Sequence, residues 1–169
     1  MSWDALTAIS TAFTGVVIAV TAIVGVIQLR QIREQRRDAG TIELVRSFQD
    51  ADFTNAVHLV LALPRNVSAA ELREKGHEYQ SAVDTIGMRF ESLGLLVYRG
   101  VVSFDVTEEL IGGGVVSAWE RLEATIRERR DALDYPMWME WFQWLAEQFQ
   151  TRDRMHQAPA HERLRGWRP

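Results

Sequence analysis

The chain has 169 residues, a formal net charge of −4, a hydrophobic fraction of 47% and no cysteine. That length leaves room for one domain with a real core beside any anchor, and none for two. Lack of cysteine excludes a disulfide framework, a thiolate zinc site and a cysteine nucleophile, and the acidic balance argues against nucleic acid, because neutralising phosphate needs a basic surface on the folded module.

The first element is residues 5–27, 23 positions without a charge. About 20 residues at 1.5 Å each cross a hydrocarbon core of about 30 Å, so this run predicts a transmembrane helix. The preceding Met1-Ser2-Trp3-Asp4 holds no Lys or Arg, unlike the start of a cleaved signal peptide. Arg30, Arg33, Arg36 and Arg37 follow the run and no basic residue precedes it. Basic flanks stay on the cytoplasmic side. The expectation is a single-pass protein of the inner (plasma) membrane, with residues 1–4 outside, Trp3 at the outer interface and the remainder cytoplasmic. Within the run, Ala8, Ala12, Gly15, Ala19 and Ala22 recur at steps of three and four, a face on which a second membrane helix could pack closely.

Residues 28–40 contain good helix formers and no Gly before Gly40, so the helix is expected to continue as a basic stalk. The charges divide unevenly. Residues 28–40 carry four Arg against Glu34 and Asp38, residues 41–150 carry ten basic against eighteen acidic groups, and residues 151–169 carry five Arg against Asp153 and Glu162. The basic ends suit anionic lipid headgroups, making the bilayer one expected partner.

From residue 41 to 150 the spacing predicts an α-helical cytoplasmic domain. Ile42, Val45 and Phe48 have helical spacing, and Asp50 to Asp52 caps a short apolar helix that Pro64 and Asn66 close. Ser68 with Glu71 forms a capping box. Tyr79, Val83, Ile86, Phe90, Leu93 and Val97 then make one continuous stripe, which Gly100 ends. Ser103 starts another helix with the stripe Val106, Leu110, Val115, Trp119, Leu122 and Ile126, interrupted by Gly112, Gly113 and Gly114. Three glycines inside a helix cost roughly 2–3 kcal/mol against alanine, so either a neighbour packs against them or the chain turns there. Tyr135-Pro136 is expected to open a last helix, burying Trp138, Trp141, Phe142, Leu145 and Phe149. Trp144 points away from that face and is the candidate contact for a partner. Residues 151–169 read as a mobile basic tail. The predicted fold is all-α: a transmembrane helix and stalk followed by a bundle of about four to five helices.

Candidate chemistry is sparse. Gly112 to Gly114 lack the preceding strand and the following Lys-Ser or Lys-Thr of a phosphate loop. Glu74-x-x-His77 matches one half of a di-iron ligand set, which needs two copies. His58, His77, His156 and His161 lie in dissimilar contexts. The clusters Glu108-Glu109 and Glu120-Glu123 sit beside arginines, as on a solvated helix face. No catalytic, cofactor or metal residue is assigned.

The Arg-rich segment after the uncharged run, the stretch Phe90-Glu91-Ser92-Leu93-Gly94-Leu95-Leu96-Val97-Tyr98-Arg99-Gly100, Trp119-Glu120-Arg121-Leu122 and Trp141-Phe142-Gln143-Trp144-Leu145 carry a resemblance. Over roughly residues 28–150 the chain resembles an uncharacterised family of small bacterial membrane-anchored proteins with a helical domain of unknown function. The resemblance implies a single-pass anchor and a helical domain, and no catalytic residue. The functional expectation is a membrane-anchored interaction or adaptor module with a protein partner or self-association; the alternatives are an oligomerising, membrane-acting effector and an enzyme whose site is assembled across helices.

Overall fold

A computed structural model describes residues 21, 23–25, 28, 48, 50–152 and 158–168. The chain divides into two units, Met1–Gly40 and Thr41–Pro169. In the first, residues 21, 23–25 and 28 are helical.

In the second unit, helix α1 (Ala51–Leu61) begins where the Asp50 carboxylate accepts from the Asp52 N–H. It buries Phe53, Ala56 and Val60, one face at helical spacing. Helix α2 (Ala69–Glu74) starts at the capping box: Ser68 accepts from the Glu71 N–H and Glu71 from the Ser68 N–H. Gly76, at φ 99°, breaks the chain before α3 (His77–Tyr98), whose buried face is Val83, Ile86, Phe90, Leu93 and Val97. A turn through Gly100 at φ 68° leads into α4 (Phe104–Leu133), 30 residues and about 45 Å long. Helix α4 runs unbroken through its three glycines. Left-handed Asp134 ends α4, left-handed Met139 precedes α5 (Glu140–Thr151), and α6 (Ala160–Arg163) is a single turn within the C-terminal segment. Among the described residues there is no strand.

Residue pairings set the helix directions. Asp50 pairs with Arg89, and Leu59 shares a groove with His77 and Glu78, so α1 is antiparallel to α3. Trp119 meets Phe142 and Asp105 meets Arg152, so α4 is antiparallel to α5. Gly87 lies against Met139 and Tyr98 against Trp144, so α3 and α5 run parallel. The core is threaded by rings from all four longer helices: Phe53 to Phe90 at 6.1 Å, Phe90 to Phe142 at 5.2 Å and Phe142 to Trp119 at 5.4 Å between centroids. Burying each such side chain contributes about 1.5–3 kcal/mol.

Two expectations need correction. Among the described residues no helix is long and apolar enough to cross a membrane, which overturns the transmembrane part of the predicted fold and the single-pass inner-membrane localisation. Crossing requires length and an uncharged surface together. Helix α1 is apolar but has 11 residues, whereas α3 and α4 are long enough but carry Asp84, Arg89 and Glu91, and Glu108, Glu120 and Arg127. An uncharged run by itself records only that a segment avoids water, not that it is one continuous helix facing lipid. Most of residues 5–27 lie outside the described residues, as do Trp3, Arg30, Arg33, Arg36 and Arg37 and the small-residue set Ala8, Ala12, Gly15, Ala19 and Ala22. The second correction is the start of the last helix. Residues 136–139 form turns, with the Trp138 N–H donating to the Tyr135 carbonyl, and the Arg130 Nε holds the Trp138 carbonyl at 2.7 Å. Pro136 therefore stands four residues before α5 rather than in its first turn.

Candidate functional site

The parallel pair α3 and α5 presents the most distinctive surface. On α3, Glu91, Gly94, Leu95 and Tyr98 recur at the spacing of one helix face. Gly94 makes the pairing possible, since a Cβ there would stand 2.7 Å from the Trp141 carbonyl carbon and closer still to its oxygen. The first turn of α5 thus rests on bare α3 backbone.

One turn earlier, Glu91 supplies what α5 lacks. Met139 offers no side-chain cap, and the first N–H groups of a helix have no partner within it. The Glu91 carboxylate accepts from the Phe142 N–H at 2.9 Å, which places a negative group at the positive end of the helix dipole. Burial pushes the Glu91 carboxyl above the ordinary carboxylate range; the N–H groups of Phe142 and Trp141 pull it back, Glu140 raises it and the Arg130 guanidinium lowers it. Arg130 donates to the Trp138 carbonyl and, at 2.7 Å, to Gln143. Its Nη2 is buried with no partner among the described residues.

With α5 held in this way, three rings cluster. Tyr98 and Trp141 stand 4.7 Å apart, Tyr98 and Trp144 5.8 Å at 85°, and Trp141 and Trp144 6.1 Å at 74°. Tyr98 is 59% exposed, the two tryptophans are half-buried, and Leu95 and Val101 are also exposed. Rings this close leave no space between them, so a ligand meets their outer faces and edges.

Trp144, the partner contact expected from sequence, is half-buried and leans on the core. It shares its exposure with Trp141, which sequence periodicity had assigned to the buried face. Tyr98 and Glu91 were missed. The available signal was Gly94 inside an apolar helix, which marks a close approach and hence a second helix whose side chains emerge beside it.

The remaining candidates do not assemble. Glu74 ends α2 and His77 begins α3 across left-handed Gly76, so they do not share a helix. Among the described residues no group of His, Asp and Glu could hold a metal ion. Gly112 packs 3.6 Å from the Phe149 ring, counting from the Cβ it lacks, whereas Gly113 faces open space. Near them lies a cavity of about 450 Å3, lined in part by Glu108, Glu109, Gly112, Phe149, Pro159 and Arg163. Both carboxylates are engaged by neighbours, with Arg152 at 3.7 Å from Glu108.

A model described as a domain of unknown function, DUF4760, matches residues 10–149, and the chain belongs to that family. No curated protein and no solved structure matches it.

Proposed function

We propose that this DUF4760 member is a helical interaction module, an adaptor or scaffold that binds another protein through the Tyr98–Trp141–Trp144 face. One observation carries this reading: a partly exposed aromatic cluster sits on a helix pair held in place by the Gly94 approach and the Glu91 cap. Tyr and Trp supply large contact area at low entropic cost and dominate the energetics of most interfaces. The reading requires no membrane span.

The test is capture by the full chain at native expression, comparing the wild type with Tyr98→Ala and Trp144→Ala. A partner or self-oligomer recovered with the wild type is lost with both variants, while their thermal unfolding stays cooperative. Recovery of no partner and no self-oligomer, or capture indifferent to both variants, overturns the reading.

A second reading, a small-molecule site assembled across helices, is favoured by the cavity beside Glu109 and Arg163. Its size lies in the range that holds small ligands. Gly113→Leu would fill it, and a ligand found by thermal-shift screening must then lose its effect.

A further inference from the structure

The aromatic face has a charge frame. On α5, Glu140 lies four residues before Trp144 and Glu147 three after, so the Trp144 indole stands between two carboxylates on one side of the helix. Glu147 is exposed, and among the described residues its carboxylate accepts a neutral amide, from Gln143. With Glu91 one helix away, and with Arg130, bonded to Gln143, and Arg99, just past the end of α3, as the nearby cations, three carboxylates against two guanidinium groups leave the frame net negative. An indole flanked by carboxylates has the chemistry to hold a guanidinium, which stacks on the ring and donates to the acids at its edge.

The same chain carries a segment of the complementary kind. Residues 158–168 are exposed throughout. They hold Arg163, Arg165 and Arg168 against Glu162, together with Leu164 at 55% and Trp167 at 69% exposure. The start of that segment lines the cavity beside Phe149. Phe149 lies about 140° around α5 from Trp144 at 100° per residue, so the segment leaves its own chain on a different side from the aromatic face.

We propose that the Tyr98–Trp141–Trp144 face receives the arginine-rich C-terminal segment of a second copy of this chain, with Arg165 or Arg168 of the second copy set over Trp144 between Glu140 and Glu147. This rests on the interaction-module reading and names its partner. Mutual exchange of the two segments gives a closed two-fold dimer, in which each contact occurs twice.

The experiment is sedimentation velocity of the full chain over a concentration series, with the effect of added salt. The expected species has twice the 19.3 kDa chain mass. A chain ending at Gln157 is expected to run as a monomer, and a synthetic peptide of residues 158–169 in excess should dissociate the wild-type dimer. Arg165→Glu with Arg168→Glu weakens the dimer at least tenfold. These positions are exposed, so folding is spared. Adding Glu140→Lys and Glu147→Lys restores it. A wild-type monomer at all concentrations, a dimer indifferent to removal of the segment, or failure of the charge exchange to restore it overturns the proposal. If the segment proves irrelevant while Tyr98→Ala and Trp144→Ala still abolish binding of a different protein, the tail assignment fails and the interaction-module reading stands. If neither face nor segment affects any association, both fail.

Discussion

Replacing Gly94 by alanine tests the arrangement on which the aromatic face depends. Two opposing terms act. Alanine is favoured over glycine inside a helix by about 1 kcal/mol. Against this, the new methyl group enters the space of the Trp141 main chain, where even the carbonyl carbon would be 2.7 Å away and Trp141 Cβ 3.0 Å. Overpacking a core costs about 1–3 kcal/mol, and the upper end applies, because backbone in the first turn of α5 cannot rotate aside as a side-chain tip can. The net loss is about 2 kcal/mol. Two sister substitutions provide the scale. Gly113→Ala meets no atom within 4 Å and should gain about 1 kcal/mol from helix propensity alone. Gly87→Ala meets only the flexible end of Met139, at 2.8 Å from Cε, so its gain and its clash should nearly cancel at about 0 kcal/mol. Urea unfolding followed by far-UV circular dichroism ranks the three variants. A Gly94→Ala chain as stable as the wild type, or one shifted in the same direction as Gly113→Ala, would show that the α3–α5 approach is looser than described. Tryptophan emission should also shift in Gly94→Ala, because Trp141 and Trp144 move with the start of α5.

Three further outcomes follow from the same contacts. Glu91 has a raised folded-state pKa, so the fold binds its proton more readily than the unfolded chain does. Its contribution is most favourable below the unfolded value near 4.5 and is lost as pH rises through the folded pKa. Glu91→Gln removes that loss, and its stability relative to the wild type should climb with pH across this window and level off above it; a flat difference curve refutes the assignment. Thr125 is buried and donates to the Val67 carbonyl at 2.6 Å, so Thr125→Val should cost about 1–3 kcal/mol in chemical denaturation by leaving a buried acceptor unpaired. Asp50 caps α1 and pairs with Arg89, which holds its carboxyl below the ordinary range. Asp50→Ala should lower the melting temperature more than Asp50→Asn, which keeps an oxygen for the cap, and equal losses would assign the effect to the ion pair alone.

The helices could be read from the sequence because their signals are local. The stripe from Val83 to Val97, the Ser68–Glu71 capping box and the stop at Gly100 depend on neighbours within a turn or two. Where local signals competed, reading failed. Pro136 looks like a helix start, yet the Arg130 guanidinium, eight residues before Trp138, captures the Trp138 carbonyl and delays α5 to Glu140. The three glycines of α4 left a turn or a closely packed neighbour equally open in the sequence, and the helix continues, with Gly112 against Phe149. The long uncharged run carried more weight than an uncharged run can bear.

By itself, then, the sequence determined an all-α domain and most of its buried stripes, Leu110 and Trp141 excepted, because hydrophobic periodicity and capping act over a few residues. Only the tertiary structure decided that α3 and α5 run parallel, that Gly94 admits the Trp141 backbone and that Glu91 caps a helix through Phe142, 51 residues further along the chain. It also decided that Tyr98 completes a cluster with Trp141 and Trp144. The physical reason is that each of these contacts joins groups with no periodic relation in sequence. They meet because α4 carries the chain back along the bundle before α5 returns, and the pattern within any one helix holds no record of which neighbour its exposed side will meet.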